Sequence, residues 1–305
     1  MLQILADGLI AGAIIALGAI GLSMTLSIVR FSNFSHGELL GWGAYLAFVA
    51  SSTLLSTSRS FGTPIGPFSF GSGLLLGLVM SCVLTALLAL ALDTILFKRL
   101  RKHGAITLVI ASFGAALALR NVLLFWQGGI PRYYSENLQI AINLIPRSVG
   151  GGMRVTPDQL FVLGLTLTTV TLVHLFLRRS TLGRSMRATA LNPGLARVTG
   201  IDPERVLRAT WLLGGMLAAL GGVCAGLTVQ IRPTMGVELL LPLFAAVILG
   251  GVGSIWGAVL GGFIVGLAES ASVTLIGAEY RGGAAFAVLI AILLFRPTGI
   301  FGEKG

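Results

Sequence analysis

What most constrains this chain is its succession of long apolar runs, each close to the roughly 20 residues needed to cross the hydrocarbon core of a bilayer. They are Leu9–Val29, Leu39–Leu55, Gly73–Phe97, Ala105–Trp126, Leu160–Leu177, Trp211–Ile231, Leu239–Ile255, Ala258–Ile276 and Ala284–Phe295. Only 10% of residues are charged and the mean hydropathy is +0.94, whereas soluble domains carry about 25% charged residues. There is too little polar surface to cover a water-soluble core, so the outer shell must face lipid. The expected fold is an all-α integral membrane protein, a polytopic bundle of about 8–9 transmembrane helices with short broken or re-entrant segments. Residues 1–305 are expected to form a single transmembrane domain. The last run is short for a full crossing, and the pair meeting around Gly250–Gly257 reads as broken or re-entrant helices.

Glycine is frequent, with 42 residues, as suits helices that pack closely in lipid. The net charge of +10 does not point to nucleic acid, because the basic residues cluster in short connections between apolar runs. Lys98–Lys102 holds four basic residues, and Arg178–Arg208 holds seven (Arg178, Arg179, Arg184, Arg187, Arg197, Arg205 and Arg208). The comparably long Gln127–Asp158 holds only Arg132, Arg147 and Arg154. The positive-inside rule then places the first two connections, and the tail with Arg296 and Lys304, in the cytoplasm and Gln127–Asp158 outside. Nine crossings would put the N-terminus outside. Met1 leads into an apolar run without a basic n-region, so no cleavable signal is expected. Cys82 and Cys224 lie in apolar stretches and read as small buried hydrophobes, not as a disulfide or metal pair.

One connection carries more order than topology needs. Leu182–Ala209 reads LGRSMRATALNPGLARVTGIDPERVLRA. Asn192-Pro193 is a helix start, since Asn caps free amides and Pro suits the first helical position. Gly200 is a helix stop, and Asp202-Pro203 repeats the start signal. A short helix near Pro193–Thr199 is thus fenced off in the cytoplasm, as a rigid peg that docks into another protein would be. A solvated basic turn that only enforces topology is the plainer reading.

This segment resembles the cytoplasmic loop of permease subunits of branched-chain amino acid ABC importers, the leucine/isoleucine/valine type. The likeness extends to FSNFSHGELLGWGAY at Phe31–Tyr45, ILGGVGSIWGAVLGGFIVGLAES at Ile248–Ser270 and FRPTGIFG at Phe295–Gly302. The resemblance implies that Gly183, Arg184, Arg187, Ala188, Ala190, Asn192, Pro193, Ala196, Gly200 and Ile201 form a coupling loop, within residues 178–209, against a separate ATPase. Leu191 and Asn192 stand where many ABC importer permeases have an acidic residue. It further implies a second related permease, two ATPase subunits that use the ATP, a soluble substrate-binding protein outside, alternating access, and residence in a bacterial inner membrane. No cofactor is expected on this chain.

Polar residues at membrane depth default to functional hypotheses. Asn33, Ser35, His36 and Glu38 lie between the first two runs and are expected to line the translocation pathway. Ser35 and Glu38 also fit a capping box for the helix beginning at Leu39. Arg120 and Glu269 sit several residues inside the outer ends of their runs and are expected to pair with each other. His103 and His174 read as interfacial. Leu17–Glu38 and Leu220–Glu238 share a faint internal echo, of the kind that builds transporters from repeats.

The glycine-rich Gly250–Gly262 stretch lacks the Lys-Ser/Thr of a phosphate-binding loop. The histidines are scattered and there is no HExxH, so neither an ATPase site nor an intramembrane enzyme is indicated. The alternative is a self-sufficient secondary transporter or channel for a small polar solute, for which Asp7, Asp93, Arg120 and Glu269 are the ionisable candidates.

Overall fold

The computed structural model describes residues 1–135, 139–145, 152–296 and 298–301. Arg147, Pro297, Gly302 and Lys304, used above, lie outside the described residues. The principal helices are α1 (Leu2–Val29), α2 (Ser35–Thr57), α3 (Ser72–His103), α4 (Ala105–Gln127), α5 (Pro157–Arg179), α6 (Thr181–Leu191), α7 (Pro193–Val198), α8 (Pro203–Thr228), α9 (Met235–Gly250), α10 (Ile255–Leu275) and α11 (Arg281–Phe295). Among the described residues, eight helical segments are long and apolar enough to cross a membrane, and α9 is a shorter apolar helix. A small hairpin of β1 (Ile142–Ile145) and β2 (Met153–Val155) lies in the α4–α5 connection.

The apolar residues of α1 encircle it, so every face seeks a partner, and 83% of its most apolar window is buried. It is the axle of the bundle. Glycines let its neighbours in: a Cβ on Gly266 of α10 would stand 2.3 Å from the Gly12 nitrogen of α1. Gly8/Gly12 and Gly262/Gly266 thus form facing small-xxx-small stripes, the close-approach device of membrane helices. Around this pair, α8 packs against α1, α2 and α3. A Cβ on Gly222 of α8 would fall 1.9 Å from the Leu40 carbonyl oxygen of α2. Helices α4, α5 and α11 are peripheral; only 6% of the window containing α11 is buried.

Contacts sort the two ends of the bundle. At the basic end, the Arg30 guanidinium donates to the carbonyls of Ala190 and Leu191 at 3.2 and 3.5 Å, and Lys98 pairs with Glu204 at 3.0 Å. The backbone N–H of Gly253 donates to Ser23 Oγ, and those of Ile300 and Phe301 donate to the last carbonyls of α9. At the other end, Gln3 meets Arg154, Ser270 donates to the Ile4 carbonyl, and Arg132 bridges Ile231. Helix α1 therefore runs toward the basic end and α8 away from it.

Two breaks shape the interior. Helix α1 stops at Arg30, the one non-glycine with left-handed backbone among the described residues (φ 62°). The chain then folds back: His36 Nε2 lies 3.1 Å from the Gly18 carbonyl, eleven residues (about 16 Å) before the end of α1. Helix α2 thus begins inside the bilayer. The second break separates α9, which contains Pro242, from α10. The first turns of α2 and α9 meet, with a Cβ on Gly37 falling 2.4 Å from the Gly236 carbonyl. The two halves of the sequence echo, Leu17–Glu38 and Leu220–Glu238, therefore contribute antiparallel central helices, α1 and α8, and the touching first turns of α2 and α9. Near the basic end α3 carries a π-helical turn, Asp93–Phe97, which turns both Asp93 and Phe97 inward. Asp93 pairs with Arg101, while Phe97 packs between Phe31 (5.2 Å) and Trp211 (5.1 Å).

Candidate functional site

The connection from Arg178 to Arg208 is built from three capped pieces. Ser180 Oγ accepts from the Gly183 amide at 2.9 Å and starts α6. Gly183 is held against the end of α5, where a Cβ would meet the Leu177 backbone at 2.5 Å. Asn192 Oδ1 accepts from the Leu195 amide at 3.1 Å with Pro193 at the first helical position, so α7 starts where its residue types direct. Gly200, at φ +84°, ends it, and the Ile201 amide returns to the Ala196 carbonyl. Asp202 then caps α8 through the Glu204 amide at 2.9 Å. Ala196 is buried, whereas Leu191, Leu195 and Val198 are exposed. The short helix therefore presents apolar side chains outward from a braced loop. Leu195 and Val198 were not among the sequence candidates, because a six-residue helix is too short for apolar periodicity to show which side faces out.

The four residues at the start of α2 are all buried, but only Asn33 and Ser35 bond each other, while His36 turns to α1 and Glu38 to α4. Asn33 Oδ1 accepts from the Ser35 amide and from Ser35 Oγ, at 3.1 and 2.6 Å. The capping box expected between Ser35 and Glu38 is not formed. The helix begins at Ser35 itself, which puts Ser35 inside the first turn and swings Glu38 sideways. Its carboxylate oxygen Oε1 accepts from Arg120 Nε and Nη2 at 3.0 and 2.6 Å. The expected pair of Arg120 with Glu269 is likewise corrected: Glu269 accepts from Arg281 Nε at 2.8 Å. Helix α4 packs on α2, so Arg120 meets Glu38 first, and Glu269 finds its cation at the start of the adjoining α11. Sequence position places these charges along their helices but supplies neither an azimuth nor a common level: Glu38 follows His36, which meets Gly18 midway along α1, whereas Ser270, next to Glu269, meets Ile4 near its outer end. Phe34 stands beside Phe113 and Phe244 at 6.2 and 5.4 Å, next to the ion pair. Of the remaining histidines, His103 is exposed at the basic end, and His174 accepts from Trp256 Nε1 at 3.2 Å.

A cavity of about 600 Å³ lies between α1, α9 and α10. The α8–α9 and α10–α11 connections, at the end opposite the basic loops, contribute Thr228–Gln230 and Ala278–Glu279 to its wall. Two ion pairs stand in it, Arg232–Glu238 at 3.0 Å and Arg281–Glu269 at 2.8 Å.

A sequence profile of the family described as "Branched-chain amino acid transport system / permease component" matches residues 4–293. The chain belongs to this permease family. It is 32% identical to the high-affinity branched-chain amino acid transport system permease protein BraD of Pseudomonas aeruginosa, over 99% of this chain and 96% of that protein. Its identity to the corresponding permease protein LivH of Escherichia coli K12 is 29%, over the same shares. A solved structure, PsaBC from Streptococcus pneumoniae in complex with Fab, is similar at a TM-score of 0.49 and 15% identity, covering 98% of this chain and 92% of that one. As a member of the permease family the chain is the multi-pass membrane component of an ABC importer, and the family implies that ATP is hydrolysed by separate subunits.

Proposed function

We propose that this chain forms one half of the translocation pathway of an importer for aliphatic amino acids, opposite a second, related permease in a bacterial inner membrane. A soluble binding protein delivers the substrate at the outer end. Two ATPase subunits grip the loop of residues 178–209 at the basic end and drive alternating access. In this reading Gly183, Arg184, Arg187, Ala188 and Ala190 build the base of the docking segment. Asn192, Pro193, Ala196, Gly200 and Ile201 fix its helix. Asn33, Ser35, His36 and Glu38, with Arg120, line the pathway at the break of α2, where irregular polar backbone is tolerated because it faces a cavity. The names and full-length identities of the relatives support the substrate class.

The observation that carries the reading is the capped, rigid α7 with Leu195 and Val198 turned outward. Exposed apolar side chains on a braced loop at the basic end fit a protein groove. Motion reaching α7 has two routes into the bundle. One is the continuous chain into α8. The other is Arg30, which holds the end of α6 and leads straight into the broken segment carrying Asn33 and Ser35.

The test is purification of the tagged chain in mild detergent, followed by reconstitution. ATPase subunits and a second permease should co-purify, and uptake of leucine should require ATP and the loaded binding protein. A chain that runs alone and still transports after reconstitution overturns the proposal.

A further inference from the structure

Both ion pairs of the outer cavity lie away from the coupling loop, and nothing in the proposed cycle yet uses them. Ionisable groups in a membrane bundle face water-filled space or each other; these do both. Arg281 spends only Nε on Glu269, and among the described residues its two Nη groups make no hydrogen bond. Arg232 donates through Nη2 to Glu238, and among the described residues its Nη1 makes no hydrogen bond. Two planar cations with unspent donors are suited to a bidentate carboxylate. Glu238 and Glu279, in the same wall, offer acceptors for an ammonium group. Below them the wall turns apolar, with Ile14, Ile15 and Leu239. A solute bearing adjacent carboxylate and ammonium groups and an aliphatic tail matches this order of surfaces.

The position is also apt. Met235 lines the cavity, and the next residue, Gly236, touches the backbone of Gly37 and approaches Glu38 Oε2. The floor of the cavity therefore adjoins the buried cluster at the start of α2.

We infer that this cavity is the outward receiving site of the subunit for a zwitterionic amino acid with an aliphatic side chain, held by Arg232 and Arg281 at its carboxylate and by Glu238 and Glu279 at its ammonium. The inference rests on the importer reading above and adds a site and its recognition chemistry to it. A purely structural ion pair can be replaced by a neutral one with little consequence, whereas a receiving site cannot.

The experiment uses the complete importer in proteoliposomes, with radiolabelled leucine or valine presented on the loaded binding protein. Glu269→Gln combined with Arg281→Gln should cut uptake of both by about tenfold or more, the loss expected of unpaired polar groups on the substrate. Ala11→Leu, which grows a side chain into the cavity from α1, should lower leucine uptake relative to valine by about threefold or more. Uptake by the double variant within about twofold of the unsubstituted importer, or an unchanged leucine-to-valine ratio in Ala11→Leu, overturns the site. Should the double variant fail to assemble, the uptake ratio in Ala11→Leu decides alone. Absence of ATP-driven uptake by the unsubstituted complex would instead strike the importer reading, so the two failures are separable.

Discussion

Replacing the outward side chains of α7 should separate docking from folding. Leu195 is 62% and Val198 85% exposed, so neither contributes much to the stability of the chain alone. Full burial of such a side chain is worth about 1.5–3 kcal/mol. Scaled by the surface still available, sealing both against a partner would stabilise the complex by about 3 kcal/mol. Leu195→Ser/Val198→Ser should forfeit most of that, weakening ATPase binding by about 100-fold. Membrane yield and thermal stability should change little, because exposed substitutions usually stay within about 0.5 kcal/mol. The assay is titration of purified ATPase subunit onto permease in nanodiscs, read by fluorescence anisotropy, with uptake measured in parallel. Binding within about threefold of the unsubstituted protein, together with normal uptake, would refute docking through α7 and leave it a topological turn.

Other outcomes follow from the same packing. Glu38→Leu strands Arg120, whose side chain is 22% exposed, and should cost about 2–3 kcal/mol on thermal unfolding, less than for a fully buried charge. Adding Arg120→Leu should restore stability but not uptake, and recovered uptake would remove the pair from the pathway. Gly222→Ala must push α8 off the Leu40 carbonyl and should cost about 1–3 kcal/mol, seen as a lower yield of monodisperse protein on size-exclusion chromatography. Gly200→Leu forces a branched side chain into left-handed backbone at about 1–3 kcal/mol. It should leave the protein in the membrane while abolishing uptake, and normal uptake would show that the end of α7 is not critical.

How far the sequence reveals the molecule depends on the kind of information each feature needs. Apolar runs locate the helices along the chain, yet they undershoot their ends. Helix α1 starts at Leu2, not Leu9, because Gln3 and Asp7 sit at the outer end, where Gln3 bonds Asp7 and Arg154. Local chemistry reads well: Asn192, Gly200 and Asp202 cap where their side chains and backbone freedom direct, since a cap involves only a few neighbouring residues. Long-range pairing does not. Arg120 has equal claim from sequence on any carboxylate at its depth, and only the packing of α4 against α2 selects Glu38. The central place of α1 is similarly hidden, because a helix that is apolar all round reads the same whether lipid or protein surrounds it.

Arg30 carries a conflict with a genetic consequence. Its backbone suits glycine or asparagine, while its task at the carbonyl end of α6 suits arginine or lysine. No amino acid satisfies both demands, so the site holds a compromise in which side-chain chemistry has prevailed over conformational ease. Saturation mutagenesis under selection for growth on the imported solute should therefore return two disjoint families of survivors at codon 30. Cationic residues would retain the tether at the expense of the turn. Glycine or asparagine would relax the turn and lose the tether, and these should acquire compensating changes at Ala190 or Leu191.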